Sequence, residues 1–201
     1  MNENEKVTNI FLSGVGGQGA ILASNILAEV FLNSGYDVKK AEVHGMAQRG
    51  GEVTTHFRFG KKVYSPLIKH GDVDFLVSFE LLEAIRYINW VKPEGRVIIN
   101  NQMVFPPAVN LGLREYPKDV GETFKKYFKG NAYIINGQDI AKNLGSLQSA
   151  NVVLVGALSS FFPGLKEELF LEAVKGLLAS KLHDLNIKAF YEGKKAMERK
   201  D

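Results

Sequence analysis

VTNIFLSGVGGQGAILASNILAEVFL, residues 7–32, decides the fold. An apolar run ending at Leu12 meets a cluster of glycines, and a long apolar stretch from Ala20 to Leu32 follows. That order predicts a strand over Thr8–Ser13, a tight turn, and a helix from Gln18 to Ser34 with Gly35 as its stop. Gly14, Gly16 and Gly19 fit the spacing G-x-G-x-x-G at the junction where it has a mechanism. Glycines let the backbone turn sharply and approach a ligand. The first amides of the helix are free, and the helix dipole adds positive potential to them. Such a turn holds a phosphate or a carboxylate. The same glycines also serve if helix and strand simply pack closely, and both readings stand at this point.

Outward from the turn, strands and helices alternate. Asp37–Val43 reads as a second strand, with Glu42 about where a dinucleotide fold puts its ribose-holding acid. His44-Gly45-Met46-Ala47-Gln48-Arg49-Gly50-Gly51 is a polar, glycine-rich loop. Glu52–Phe59 alternates apolar and polar residues, as a half-exposed strand does. Val63–Ser65 is expected to return as its hairpin partner, making the sheet mixed. Val73–Phe79 and Arg96–Asn100 are buried strands, separated by a helix over Glu80–Trp90 and a turn at Lys92–Gly95. Residues 110–116 suggest a strand, Asp119–Phe128 a helix stopped by Gly130, and Ala132–Asn136 a last strand. Helices are expected over Ala150–Phe161 with Ser149 as cap, over Lys166–Leu182, and over Asn186–Glu198. The pattern is α/β: a three-layer α/β/α, Rossmann-like mixed sheet with a helical C-terminus. Residues 1–201 read as a single domain, with 1–6 and 195–201 as flexible ends.

Composition narrows the function. The 201 residues are 45% apolar and 23% charged, ordinary values for a soluble globular chain. A net charge of +3 gives no footprint for nucleic acid. There is no signal-peptide pattern, and no apolar run reaches the roughly 18–20 residues of a membrane span. A cytoplasmic location is therefore expected. The chain has no cysteine. It offers no thiolate to an iron–sulfur cluster and no thiol nucleophile.

Three sets of residues offer chemistry. The first is the turn, Gly14, Gly16, Gly17, Gln18 and Gly19. The second is His44, Gln48, Arg49 and Gly50 on the loop, with Glu52 beyond it. The third is Ser78 and Glu80 at the carboxyl end of the 73–79 strand. All three lie on one edge if strands one, two and four are parallel neighbours, and ligands of open α/β sheets gather at that edge. Arg49 is of the kind that pairs with a carboxylate or phosphate, although most loop arginines are simply solvated. No group has metal-ligand spacing, so no metal is assigned. Gly71-Asp72 and Asn100-Asn101 echo part of a thiamine diphosphate motif. The third glycine is Val73, and the acid precedes its strand, so thiamine diphosphate is not assigned to this chain.

Longer strings add a family. GVGGQGA, then AEVHGMAQRGGEVTTHFRFG, SPLI, GDVDFLVSFELLEAIRYINWVKPEGRVIIN and NVVLVGAL resemble the gamma-type subunits of 2-oxoacid:ferredoxin oxidoreductases. HGMAQRGG is similar to the indolepyruvate, or arylpyruvate, branch. The resemblance implies oxidative decarboxylation of a 2-oxoacid with coenzyme A, giving acyl-CoA, carbon dioxide and reduced ferredoxin. It implies that thiamine diphosphate, its Mg ion and the 4Fe-4S clusters belong to a large partner subunit, with ferredoxin reached indirectly. This chain would then shape the approach of coenzyme A without a redox centre of its own. Two other readings compete: a free-standing NAD(P)-dependent oxidoreductase using the turn and Glu42, and an assembly scaffold whose glycines only pack.

Overall fold

The structure, a computed structural model, describes residues 7–45 and 51–198. Six strands form one sheet in the order β2-β3-β1-β4-β5-β6. They are β1 (Thr8–Val15), β2 (Asp37–His44), β3 (Glu52–Gly60), β4 (Val73–Ser78), β5 (Val91–Asn100) and β6 (Ala132–Ile135). β3 runs antiparallel to both β1 and β2, and the pairs from β1 to β6 are parallel. The carboxyl ends of β1, β2, β4, β5 and β6 therefore share one edge with the amino end of β3. Strands one and two are not neighbours as anticipated, because β3 inserts between them, yet they still point the same way.

The sheet is mixed, but not through the anticipated hairpin. β1 and β2 occupy both sides of β3 from Glu52 to Gly60, which leaves no edge for Val63–Ser65. Val63 is instead buried, and its N–H donates to the Asp37 carboxylate at 2.9 Å. Lys92–Gly95 is not a free turn either. It is an irregularity inside β5, where the register against β4 shifts between Val73 and Phe75.

Helices cover both faces. α1 (Ala20–Asn33), α6 (Ala150–Ser159), α7 (Glu167–Leu177) and α8 (His183–Glu198) share a core with Ile10, Leu12, Phe57, Phe59, Val77 and Ile98. The other face packs Phe11, Leu76, Val97 and Ile99 against α2 (Leu81–Arg86) and α4 (Val120–Phe128). α6 is apolar on all sides and every residue of it is buried. α8 crosses it at backbone contact: a Cβ on Gly156 would lie 2.0 Å from the Phe190 carbonyl oxygen, and one on Gly193 2.0 Å from that of Val153. Only glycine fits at such a crossing.

Other boundaries differ from expectation. The helix after β4 breaks at Tyr87 into α2 and a 3-10 turn over Ile88–Trp90. Residues 110–116 form no strand; α3 (Pro107–Asn110) ends there, and Leu111 and Leu113 are exposed. The helix from residue 166 stops at Leu177, and Leu178 and Ala179 are extended. Residues 195–198, expected to be flexible, continue α8. Ser149 precedes α6 without a side-chain cap bond. A short helix that the pattern did not announce, α5 (Gly137–Asn143), follows β6. Residues 1–6 and 199–201 lie outside the described residues.

Candidate functional site: the carboxyl edge at β1 and β4

α1 leaves β1 onto one face of the sheet and α2 leaves β4 onto the other. Adjacent parallel strands whose helices diverge in this way create the crevice where open α/β sheets hold ligands. Here that crevice is filled by the chain's own side chains. Gln18 lies across it. Its Oε1 accepts the Val15 N–H at 2.7 Å, and its Nε2 donates to the Phe79 carbonyl at 3.1 Å and to Gln102 Oε1 at 3.0 Å. Gly14 is glycine because a Cβ there would come within 2.9 Å of both Gln18 Oε1 and Phe79 Cβ. Gly19, at φ 80°, begins α1, and a Cβ on it would meet Asn151 Nδ2 at 2.1 Å. Gly17, at φ 100°, lines the pocket beside it.

On the α1 side the polar groups are neutral carboxamides. Gln102 Oε1 also accepts from Asn100 Nδ2 at 3.1 Å and from Gln138 Nε2 at 2.9 Å. Asn100 Oδ1 receives the Gly137 N–H at 3.0 Å, which fixes the start of α5. Gln18, Asn100, Gln102, Gln138 and Gln148 line a pocket of about 210 Å³. Among the described residues around it none is charged. Such a lining matches a neutral ligand that both donates and accepts hydrogen bonds, and it does not neutralise a phosphate.

On the α2 side the groups are acidic and mostly satisfied. Ser13 and Ser78 join hydroxyls at 3.0 Å, and the Ser78 hydroxyl donates to the Glu80 carbonyl at 2.8 Å. Glu80, 1% exposed, caps α2 by accepting the Glu83 N–H at 2.9 Å. Its other oxygen accepts from the Val104 N–H at 2.9 Å and from the Tyr116 hydroxyl. Both carboxylate oxygens are thus engaged, one in capping α2 and the other in pinning the 101–116 segment to the sheet edge. Burial and the Glu80 carboxylate raise the Tyr116 hydroxyl far above the usual phenol range, so it stays a donor.

Glu83 was not singled out by sequence reasoning. Burial raises its carboxyl to about 7; Arg86, whose Nε donates to Glu83 Oε1 at 3.0 Å, opposes this, and Glu52 and Glu80 add to it. Its Oε2 has no partner among the described residues. The available signal was the acid three residues after the cap, but nothing in the pattern said that it would be buried.

Glu52 opens β3 opposite Val15. His44 ends β2 opposite Val53 and is exposed. The loop between them is tied at both ends: the Gly45 N–H donates to the Glu52 carbonyl at 2.7 Å, and the Gly16 N–H to the Gly51 carbonyl at 2.8 Å. The loop's termini and the glycine turn are therefore in direct contact. Gln48, Arg49 and Gly50 lie outside the described residues.

Two sequence-level alternatives lose their geometry. Glu42 pairs with Lys40 at 2.7 Å on a strand separated from β1 by β3. It is not beside the turn as a ribose-holding acid must be. Asp72 lies just before β4, bonded to Asn9 and Lys92, whereas Asn100 ends β5. The two halves of the thiamine-like pattern sit at opposite edges of the sheet. Among the described residues no group of three or more His, Asp or Glu is placed to hold a metal, and no helix is long and apolar enough to cross a membrane.

The fold and site define a mixed α/β unit whose glycine turn is closed from within and whose functional groups line one edge. The family model described as "Pyruvate ferredoxin/flavodoxin oxidoreductase" matches residues 9–196. The chain is 40% identical over 195 residues to "Indolepyruvate oxidoreductase subunit IorB" of Thermococcus kodakarensis, covering 95% of this chain and 96% of that one. It is 30% identical over 186 residues to "Pyruvate/ketoisovalerate oxidoreductases common subunit gamma" of Pyrococcus furiosus, covering 89% and 91%. A solved 2-oxoglutarate:ferredoxin oxidoreductase from Magnetococcus marinus, with 2-oxoglutarate, coenzyme A and succinyl-CoA bound, has the same fold at TM-score 0.73 and 24% identity. That match covers 96% of this chain and 31% of the longer one. The chain belongs to the pyruvate ferredoxin/flavodoxin oxidoreductase family. Its relatives are subunits of multi-subunit oxidoreductases acting on 2-oxoacids.

Proposed function

We propose that this chain is a single gamma-type unit forming one wall of a shared active site in a cytoplasmic arylpyruvate:ferredoxin oxidoreductase. The reaction would convert a 2-oxoacid and coenzyme A to acyl-CoA and carbon dioxide, with the two electrons passing to ferredoxin. The observation that carries this is the closed glycine turn beside an uncharged carboxamide pocket at the carboxyl edge. A dinucleotide site needs that turn open and the acid that ends the second strand beside it; here Gln18 closes the turn, and β3 separates Glu42 from β1. The higher identity to the indolepyruvate subunit, 40% against 30%, supports the aryl branch.

Thiamine diphosphate, Mg and 4Fe-4S clusters do not fit this chain's described residues. It has no cysteine, and its thiamine-like residues lie on opposite edges. Those groups are assigned to the large partner subunit, which also meets ferredoxin. The part left to this chain is to bind and orient. Gln138, Gln102 and Gln148 suit the neutral amide-bearing pantetheine arm of coenzyme A, and Gly14, Gly16, Gly17, Gln18 and Gly19 hold the pocket's rim. His44, Gln48, Arg49, Gly50 and Glu52 are proposed as the second wall, and Ser78 and Glu80 as its support. Co-expression with the large cysteine-rich partner tests this. A stable complex is expected, with 2-oxoacid oxidation that requires this chain. No complex, or full activity without the chain, would overturn it.

A further inference from the structure

The two lateral edges of the sheet are unlike. β6 exposes four residues, too short to template another strand. β2 exposes eight, Asp37–His44, paired to β3 throughout without a bulge or a proline, and among the described residues no strand lies beyond it. Long open edges are normally blunted, covered or paired. Apolar side chains also gather there. Val43 on β2 is 55% exposed, and Tyr36 just before it 39%. On α1, Ile21 and Leu32 are 37% and 52% exposed. They lie on one helical stripe with Asn25, whose side chain bonds Lys40 of β2, so the stripe faces the same edge.

We infer that the β2 edge is an interface between two copies of this chain, joined as antiparallel strands about a two-fold axis through Ala41. The sequence of β2 selects this register. A two-fold axis normal to the sheet keeps each face on its own side, so it passes through a residue. Centring on Lys39, Lys40 or Glu42 sets like charges against each other on the axis. Centring on Val38 or Val43 pairs only three strand residues, 37–39 or 42–44. Centring on Ala41 pairs residues 38–44 and sets a small side chain against its own copy. It also places Lys40 opposite Glu42 of the other copy, twice. The Lys40–Glu42 pair already formed within each chain at 2.7 Å then becomes a square of four alternating charges. Lys39 lies opposite Val43, where its methylene stem covers the exposed valine. The two α1 helices come to one face of the joined sheet, antiparallel, with Ile21 and Leu32 turned toward the axis. The carboxyl edges, with their sites, point in opposite directions, leaving each free for its own large subunit.

The absence of cysteine makes a clean test. Directly opposed residues of an antiparallel pair have Cα atoms about 4.5–5.5 Å apart, within disulfide range. In the full chain, alone and in the co-expressed complex, Ala41→Cys is expected to form a two-chain disulfide under mild oxidation about tenfold or more faster than Tyr64→Cys, a 90% exposed control. Sedimentation of charge variants gives the second arm, with folding checked by circular dichroism. Lys40→Glu alone and Glu42→Lys alone are each expected as single chains. Mixed, they restore the opposite-charge pairs and run as two chains. If Ala41→Cys crosslinks no faster than Tyr64→Cys, the interface is not there. The same holds if the mixture stays as single chains while both variants are folded. If Ala41→Cys reacts with neither another copy nor oxidant once the large subunit is present, that subunit covers the edge and the inference is overturned.

Discussion

Two polar clusters share the carboxyl edge of this sheet, one on each face, and they are built differently. On the α1 side, Gln18, Asn100, Gln102 and Gln138 form a neutral network with one side open to a pocket. On the α2 side, Glu80 gives both oxygens to the chain's own N–H and O–H groups and has none left. Carboxamides carry donors and acceptors in equal number, so a network of them can hold itself together and still face a ligand. A buried carboxylate has to be satisfied internally or be very costly. The neutral cluster is therefore read as the site and the acidic one as its buttress. Glu83, buried with one oxygen unpartnered among the described residues, is the exception within the buttress.

The largest effect expected from breaking this contrast is at Glu80. Glu80→Ala removes the cap of α2 and leaves the Val104 N–H and Tyr116 hydroxyl unpaired. It should cost about 3–5 kcal/mol, read by denaturant unfolding. A loss below about 1 kcal/mol would deny the buttress.

Next is Glu83, where the effect depends on pH. Its folded pKa of about 7 lies above the ordinary 4.5, so the folded chain holds the proton more tightly than the unfolded one. That contribution to stability is complete below about pH 4.5 and is lost as pH rises through about 7. Glu83→Gln removes the titration and should raise stability at pH 8 relative to pH 5 by roughly 1–3 kcal/mol, scaled from the shift and discounted for the Arg86 pair. A variant whose advantage is the same at both pH values would show that Glu83 is not strained by ionisation.

Gln18→Ala is smaller, about 1–2 kcal/mol, because the Val15 N–H and Phe79 carbonyl lie near the edge and water replaces part of the loss. It also sharpens the comparison, since it empties the crevice. NADH is expected to bind neither the wild type nor this variant in calorimetry, because β3 separates Glu42, the acid placed in sequence to hold a ribose, from β1. Micromolar binding by either would reopen the dinucleotide reading.

Much of the scaffold was legible because it rests on local signals. The glycine turn, the buried strand at 73–79 and the all-apolar α6 read correctly from pattern alone. The order of the strands did not. β3 inserts between β1 and β2 through long-range pairing, and no alternation in residues 52–59 says which strands lie beside them. The supposed hairpin failed for the same reason: Gly60-Lys61-Lys62 looks like a hairpin turn, but both sides of β3 were already taken. At the site, Gly14, Gln18, Ser78 and Glu80 were marked in advance as ligand groups, while the contacts by which they close and brace the edge were not foreseen. Gln102, Gln138 and Glu83 went unmarked. Carboxamides carry no motif spacing, and the shift at Glu83 arises from burial of its face of α2, which is a property of the packed chain.

The proposed role of the carboxamide pocket is to hold coenzyme A. Its most direct test is the steady-state kinetics of the co-purified complex carrying Gln138→Leu, an apolar change of similar size in the first turn of α5. KM for coenzyme A is expected to rise about tenfold, with KM for the 2-oxoacid unchanged within about twofold and kcat little affected. An unchanged KM for coenzyme A, or a rise confined to the 2-oxoacid, would contradict that role.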